Sequence, residues 1–97
     1  MNMSVNLAAD ERITVWAFRR RYLRETLAGP GAPSPYETLA SEAVARLSIA
    51  GVHHLIELLR EAREGLRHRE DDSAADSLTS AIRSLDSRIQ ILDDLLH

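Results

Sequence analysis

Arg63 and His68 flank four residues in the stretch REGLRH. A guanidinium holds phosphate charge and an imidazole exchanges protons near neutral pH, so the pair has the chemistry of phosphodiester cleavage. An arginine-rich helix also supplies such a pair with no chemistry attached. His53, Glu57 and Glu61 recur every four residues, which on a helix lines up nitrogen and carboxylate donors along one side. The paired Glu-x-x-His motifs of di-iron bundles are absent, and Asp94 with His97 has a similar spacing. Solvated helix electrostatics accounts for these groups, and no metal is assigned to them. The run FRRRYLR gathers Arg19, Arg20, Arg21 and Arg24. Such a cluster either meets phosphates or complements the negative end of its own helix.

Beyond these groups the inventory is thin. The absence of cysteine removes disulfides, thiol nucleophiles and thiolate zinc sites. All 12 basic residues are arginine, which removes Schiff-base lysines and the lysine of a phosphate loop. There is no glycine-rich phosphate loop and no Gly-x-Ser-x-Gly elbow. The expectation is a protein that is not an enzyme, with no catalytic residue, no cofactor and no metal.

Two stretches resemble known families. REGLRH is similar to the Arg-x(4–6)-His motif of the HEPN helical ribonucleases, although Glu64 stands where a different polar residue usually follows the arginine. That resemblance implies an RNase in which Arg63 stabilises phosphate charge and His68 transfers a proton. The stretch ETLASEAVARLSIAGVHHLIELLREAREGL, at about 38–66, resembles the helix-turn-helix of small bacterial transcription regulators. The likeness is carried by AVARLS followed by VHHLIELLREA. It implies a DNA-binding regulator with His53, His54 and Arg60 on or near the reading helix, and with arginines on the phosphates. A net charge of −3 works against binding driven by overall charge, so nucleic acid ranks second among partners.

The elements that must position these residues are helical. The chain of 97 residues is read as a single domain, 1–97. Hydrophobic residues make up 44% and charged residues 28%, the balance of a folded chain. The aromatics are Trp16, Phe18, Tyr22 and Tyr36 alone, so the core must be built from Leu, Ile, Val and Ala. The opening MNMSVNLAADERITVW has no basic segment leading into an apolar run, and no stretch reaches the roughly eighteen apolar residues of a membrane span. The expectation is a cytoplasmic protein with no membrane partner.

A first helix is predicted at about 7–28, with Asn6 as its cap, Asp10 and Glu11 at its positive end and Gly29-Pro30 as its stop. It carries two apolar stripes, Ile13-Trp16-Leu23-Leu27 and Val15-Phe18-Tyr22. A helix with one wet side needs one stripe, so two imply more than one neighbour. SPYE, at Ser34 to Glu37, has the form of a capping box and opens a second segment at about 35–69. Within it the apolar phase moves from Leu39-Ala43-Val44-Leu47-Ala50 to Val52-Ile56-Leu59-Ala62-Leu66. The change falls at LSIAG, where Ser48 and Gly51 lower helix propensity. The segment either breaks there or stays continuous with Gly51 admitting a close neighbour, and the reading favours continuity. Asp72 or Ser73 is placed to cap a last helix at about 73–96.

That last helix holds Leu78, Ile82, Leu85, Ile89, Leu92 and Leu96 at alternating spacings of four and three, a heptad seam widened by Ala81, Ile91 and Leu95. The fold expected is an all-α antiparallel bundle of three helices, or four if the middle one breaks near Ser48–Gly51, with a coiled-coil-like C-terminal helix. The seam, together with Trp16, Phe18 and Tyr22, is the expected interface. Its expected partners are a second copy, as a homodimer, and another protein. The function expected is that of a small interaction module: a regulator, an inhibitor or a chaperone-like adaptor.

Overall fold

A computed structural model describes residues 7–27, 36–73 and 76–97. Asn6, Gly29-Pro30 and the Ser34-Pro35 half of the SPYE motif lie outside the described residues. Four helices follow one another: α1 (Ala9–Leu27), α2 (Tyr36–Arg46), α3 (Ile49–Ser73) and α4 (Asp76–Asp94). The fold is an all-α helical bundle. None of the described residues is in a strand.

The middle segment is two helices, which overturns the expectation of continuity. The break falls at Leu47 and Ser48. Leu47 closes α2 by donating to the Ala43 carbonyl at 2.9 Å, and Val52 opens α3 by donating to the Ser48 carbonyl at 2.9 Å. Ser48 is the N-cap of α3, since its Oγ accepts the Gly51 N–H at 3.0 Å. A capping box would bring a carboxylate from the third helical position back onto the cap amide. Here that position is Gly51, and the carboxylate comes from α1 instead. Glu11 accepts the Ser48 N–H on Oε2 at 2.8 Å and the Ser48 hydroxyl on Oε1 at 3.1 Å. Glycine makes the room: a Cβ at position 51 would stand 3.1 Å from Glu11 Oε2 and 3.2 Å from Leu47 Cβ. Three residues from two distant parts of the chain therefore build one helix start.

The other boundaries move by a few residues. α3 continues through Asp72 to Ser73, so those two residues end α3 and do not cap the last helix, which begins at Asp76. With 25 residues α3 is about 37 Å long at ~1.5 Å per residue, the spine of the molecule. It packs chiefly against α4 and α1, while α2 lies mainly on α4. α3 and α4 form the most extensively packed pair. α2 and α3 touch little, as expected of two helices that diverge from a two-residue turn.

The core takes one side from each helix. α1 gives Val15, Phe18 and Tyr22; α2 gives Leu39, Ala40 and Ala43; α3 gives Val52, Leu55, Ile56, Leu58, Leu59 and Leu66; α4 gives Ala81, Ile82, Leu85, Ile89 and Leu92. Each of the large side chains contributes ~1.5–3 kcal/mol through burial. Leu78 and Leu96, at the ends of the heptad seam, are partly buried against this core.

One charge lies inside. Arg88 is 2% exposed. Its Nη1 donates to Glu25 Oε1 at 3.4 Å, and its guanidinium carbon lies 4.3 Å from the centre of the Tyr36 ring. Tyr36 Oη and Ser84 Oγ share a hydrogen bond of 3.2 Å beside it. Tyr22 Oη, Thr26 Oγ1 and Arg88 Nε are buried with no hydrogen-bond partner among the described residues. Burial pushes the Tyr22 hydroxyl far above its usual value, against the opposing pull of the Arg88 guanidinium.

Candidate docking face

The two stripes of α1 meet different surroundings. Val15, Phe18 and Tyr22 are in the core. Ile13, Trp16 and Leu27 face solvent at 70%, 48% and 55% exposure, and Leu23 between them is partly buried. Counting about 100° per residue, Ile13, Trp16, Arg20, Leu23, Arg24 and Leu27 all fall within one side of the helix. A single helix thus shows the bundle one apolar side and shows solvent another.

The outward side is not flat. Trp16, Arg19, Arg20, Leu23, Arg24 and Leu27 line an open groove of about 440 Å³. The Arg19 guanidinium stacks on the Trp16 ring with its carbon 4.8 Å from the ring centre, which holds the indole in place. Arg21, one residue further round, faces α2: its Nη1 and Nη2 donate to Glu42 Oε1 and Oε2, both at 3.1 Å. Its guanidinium carbon also lies 5.6 Å from the Phe18 ring centre, as does that of Arg46. The fork holds the Glu42 carboxyl below the usual carboxylate range. Arg20 and Arg24 have no ion-pair partner among the described residues.

The remaining candidates scatter. Arg63 Nη1 donates to Asp86 Oδ1 on α4 at 2.9 Å, whereas His68 is exposed. Five residues apart, the two point about 140° away from each other around α3, so the structure does not assemble them into one site. Arg67 joins the same network through Glu64 at 3.3 Å and Asp86 at 3.8 Å. His53, Glu57 and Glu61 are exposed along α3, and no three His, Cys, Asp or Glu side chains among the described residues converge as a metal site would require. His97 lies 3.8 Å from Asp93, while Asp94 accepts from Gln90 at 2.9 Å.

In the stretch that resembles a helix-turn-helix, a break of two residues, Leu47 and Ser48, separates α2 from α3. The exposed residues of α3 include Glu57, Glu61 and Glu64 beside Arg60, Arg67 and Arg69, with His53 and His68. Carboxylates and arginines in equal number leave no excess of positive charge for a phosphate backbone. The expected interface divides in the same way. Ile82, Leu85, Ile89 and Leu92 of the seam, with Phe18 and Tyr22, are spent in the core of this chain. Of the buried set none is left to meet another molecule; Leu78 and Leu96 are half-covered, and Trp16 is outward.

Arg88 is the residue that the reading of surface and core missed. Ala81, Leu85 and Leu92 occupy a core-facing line at spacings of four and seven, and position 88 completes it at four, three and four. That register was the available signal. No helix among the described residues is long and apolar enough to cross a membrane. No protein-family model, curated protein or solved structure matches the chain.

Proposed function

We propose that this chain is a non-enzymatic helical interaction module of the cytoplasm, a regulator, inhibitor or chaperone-like adaptor, that works as a homodimer or as a subunit of a complex. The outward side of α1 is its docking face. One observation carries the reading: α1 already has a complete inner side, yet it places Ile13, Trp16 and Leu27 of a second apolar stripe in solvent. Exposed Ile, Trp and Leu together serve no purpose in the fold, and tryptophan and arginine are the residues that most often anchor interfaces.

Light scattering over a concentration series, on wild type and on Trp16→Ser/Leu27→Ser, tests it together with selection of binding partners by display. Both substitutions fall on exposed positions and leave the helicity unchanged. The reading expects association, with itself or with a selected partner, that these substitutions abolish. Association that survives them moves the docking face elsewhere, and no association of any kind sinks the module.

The helix-turn-helix keeps one observation in its favour, the two-residue break at Leu47-Ser48. A duplex DNA gel shift at low salt that weakens steeply as salt rises would support it.

A further inference from the structure

We infer that the partner of this face is an acidic amphipathic helix, whose apolar side chains fill the groove around Leu23 while its carboxylates pair with Arg20 and Arg24. The inference rests on the docking reading above and adds the chemistry of the partner.

Charge is the first argument. Arg20 and Arg24 stand at i and i+4, where like charges destabilise a helix. Neither has a carboxylate among the described residues, although the chain as a whole is acidic, with a net charge of −3. Arg21, Arg63 and Arg88, by contrast, each hold a carboxylate on another helix. Complementing the helix C-terminus accounts for Arg24, in the last turn of α1, but that effect fades before Arg20. Two cations left side by side without counter-charge are matched by two carboxylates one turn apart on a partner.

Shape is the second. The open groove lies between side chains of α1 alone, from Trp16 to Leu27, and Arg19 rests on the Trp16 ring. Side chains of a neighbouring helix interdigitate with such a row. The apolar stripe from Ile13 to Leu27 spans fifteen residues, about 21 Å or four turns, enough to meet a helix packed alongside with anchors at i, i+4 and i+7. A nucleic acid backbone gives Ile13 and Leu27 nothing to bury. A second copy of α1 laid on this face would bring Arg20 and Arg24 against the same two cations.

Trp16 is the only tryptophan in the chain, so its emission reports this site alone. The experiment selects displayed random peptides of about four helical turns on the full chain, then titrates the synthesised winners against Trp16 fluorescence. Winners should combine Asp or Glu with Leu, Ile, Phe or Met at spacings of three and four, and should shift the emission to the blue. Arg20→Glu/Arg24→Glu, with unchanged helicity, should weaken them by about tenfold or more, and a peptide with its acids exchanged for arginine should recover that loss. Winners with no acidic bias that still require Trp16 overturn this inference and leave the docking face standing. No winners, or winners that bind Trp16→Ala as tightly as wild type by anisotropy of the labelled peptide, overturn both. Equal blue shifts on phosphatidylserine-containing vesicles overturn it in favour of a lipid surface.

Discussion

The two sides of α1 use similar residues and meet opposite environments. Val15, Phe18 and Tyr22 are enclosed, while Ile13, Trp16 and Leu27 are not. Hydrophobicity alone does not decide between them, since each stripe holds aromatic and branched side chains. What decides is the company each side keeps. The inner side continues into Thr26 and Glu25, and Glu25 meets Arg88 from α4. At its other end Glu11 meets the start of α3. The outer stripe is interleaved with Arg20 and Arg24, which no described helix answers. A helix turns toward the side whose polar residues its own chain can satisfy, because an unpaired buried charge costs more than an exposed leucine.

The largest test of that contrast sets one aromatic against its neighbour. Phe18→Ala should cost about 3–5 kcal/mol by opening the core, whereas Trp16→Ala should cost less than about 1 kcal/mol; urea unfolding measures both. Equal costs would break the distinction between the two sides. Arg88→Ala strands Glu25 and should cost about 3 kcal/mol, the low end for a buried pair because Glu25 is 20% exposed. Replacing both by Met and Leu should recover most of that loss in the same assay.

Tyr22→Phe should have the opposite sign. It deletes a buried hydroxyl that has no partner and should stabilise by about 1 kcal/mol at neutral pH. The raised value of Tyr22 also sets a direction with pH. Its stabilisation is fully present below the unfolded value of 10.0 and is lost as pH rises above it, so wild type should weaken in alkali more than Tyr22→Phe. The smallest effect belongs to the edge of α1. Glu42 is held below its ordinary value of 4.5 by Arg21, so its contribution is present above that value and fades as pH falls through the lowered one. Melting temperatures of wild type and Glu42→Gln should differ at neutral pH and converge in acid.

Much of the architecture was legible because it is periodic. The alternation of four and three through Ile82, Leu85, Ile89 and Leu92 names the buried side of α4, and the two stripes of α1 are visible from spacing alone. Which stripe turns inward was not legible, because the answer lies in residues of α3 and α4. The weak point at LSIAG was visible from Ser48, Gly51 and the shift of phase. That it is a true break was not, since the carboxylate that completes the cap stands 37 residues away at Glu11. Arg88 was read past because arginine belongs by type on the surface. As for the candidate site, the interface expected at Trp16, Phe18 and Tyr22 joins two stripes of α1, since Phe18 and Tyr22 lie about 160° and 120° from Trp16 around the helix.

The Glu11–Ser48 contact also has a consequence in time. A capping box within one helix forms as soon as its own turn does. This one must first close a loop of 37 residues, at a cost of about 3 kcal/mol in chain entropy before any contact repays it. The start of α3 is therefore set after α1 docks. Before that, the hydrogen bond from Gly51 N–H to Ser48 Oγ is the one local side-chain mark of the boundary between α2 and α3 among the described residues. Slowing the docking of α1 should delay the appearance of the α2–α3 boundary, while the paired α3 and α4 assemble through contacts closer in sequence.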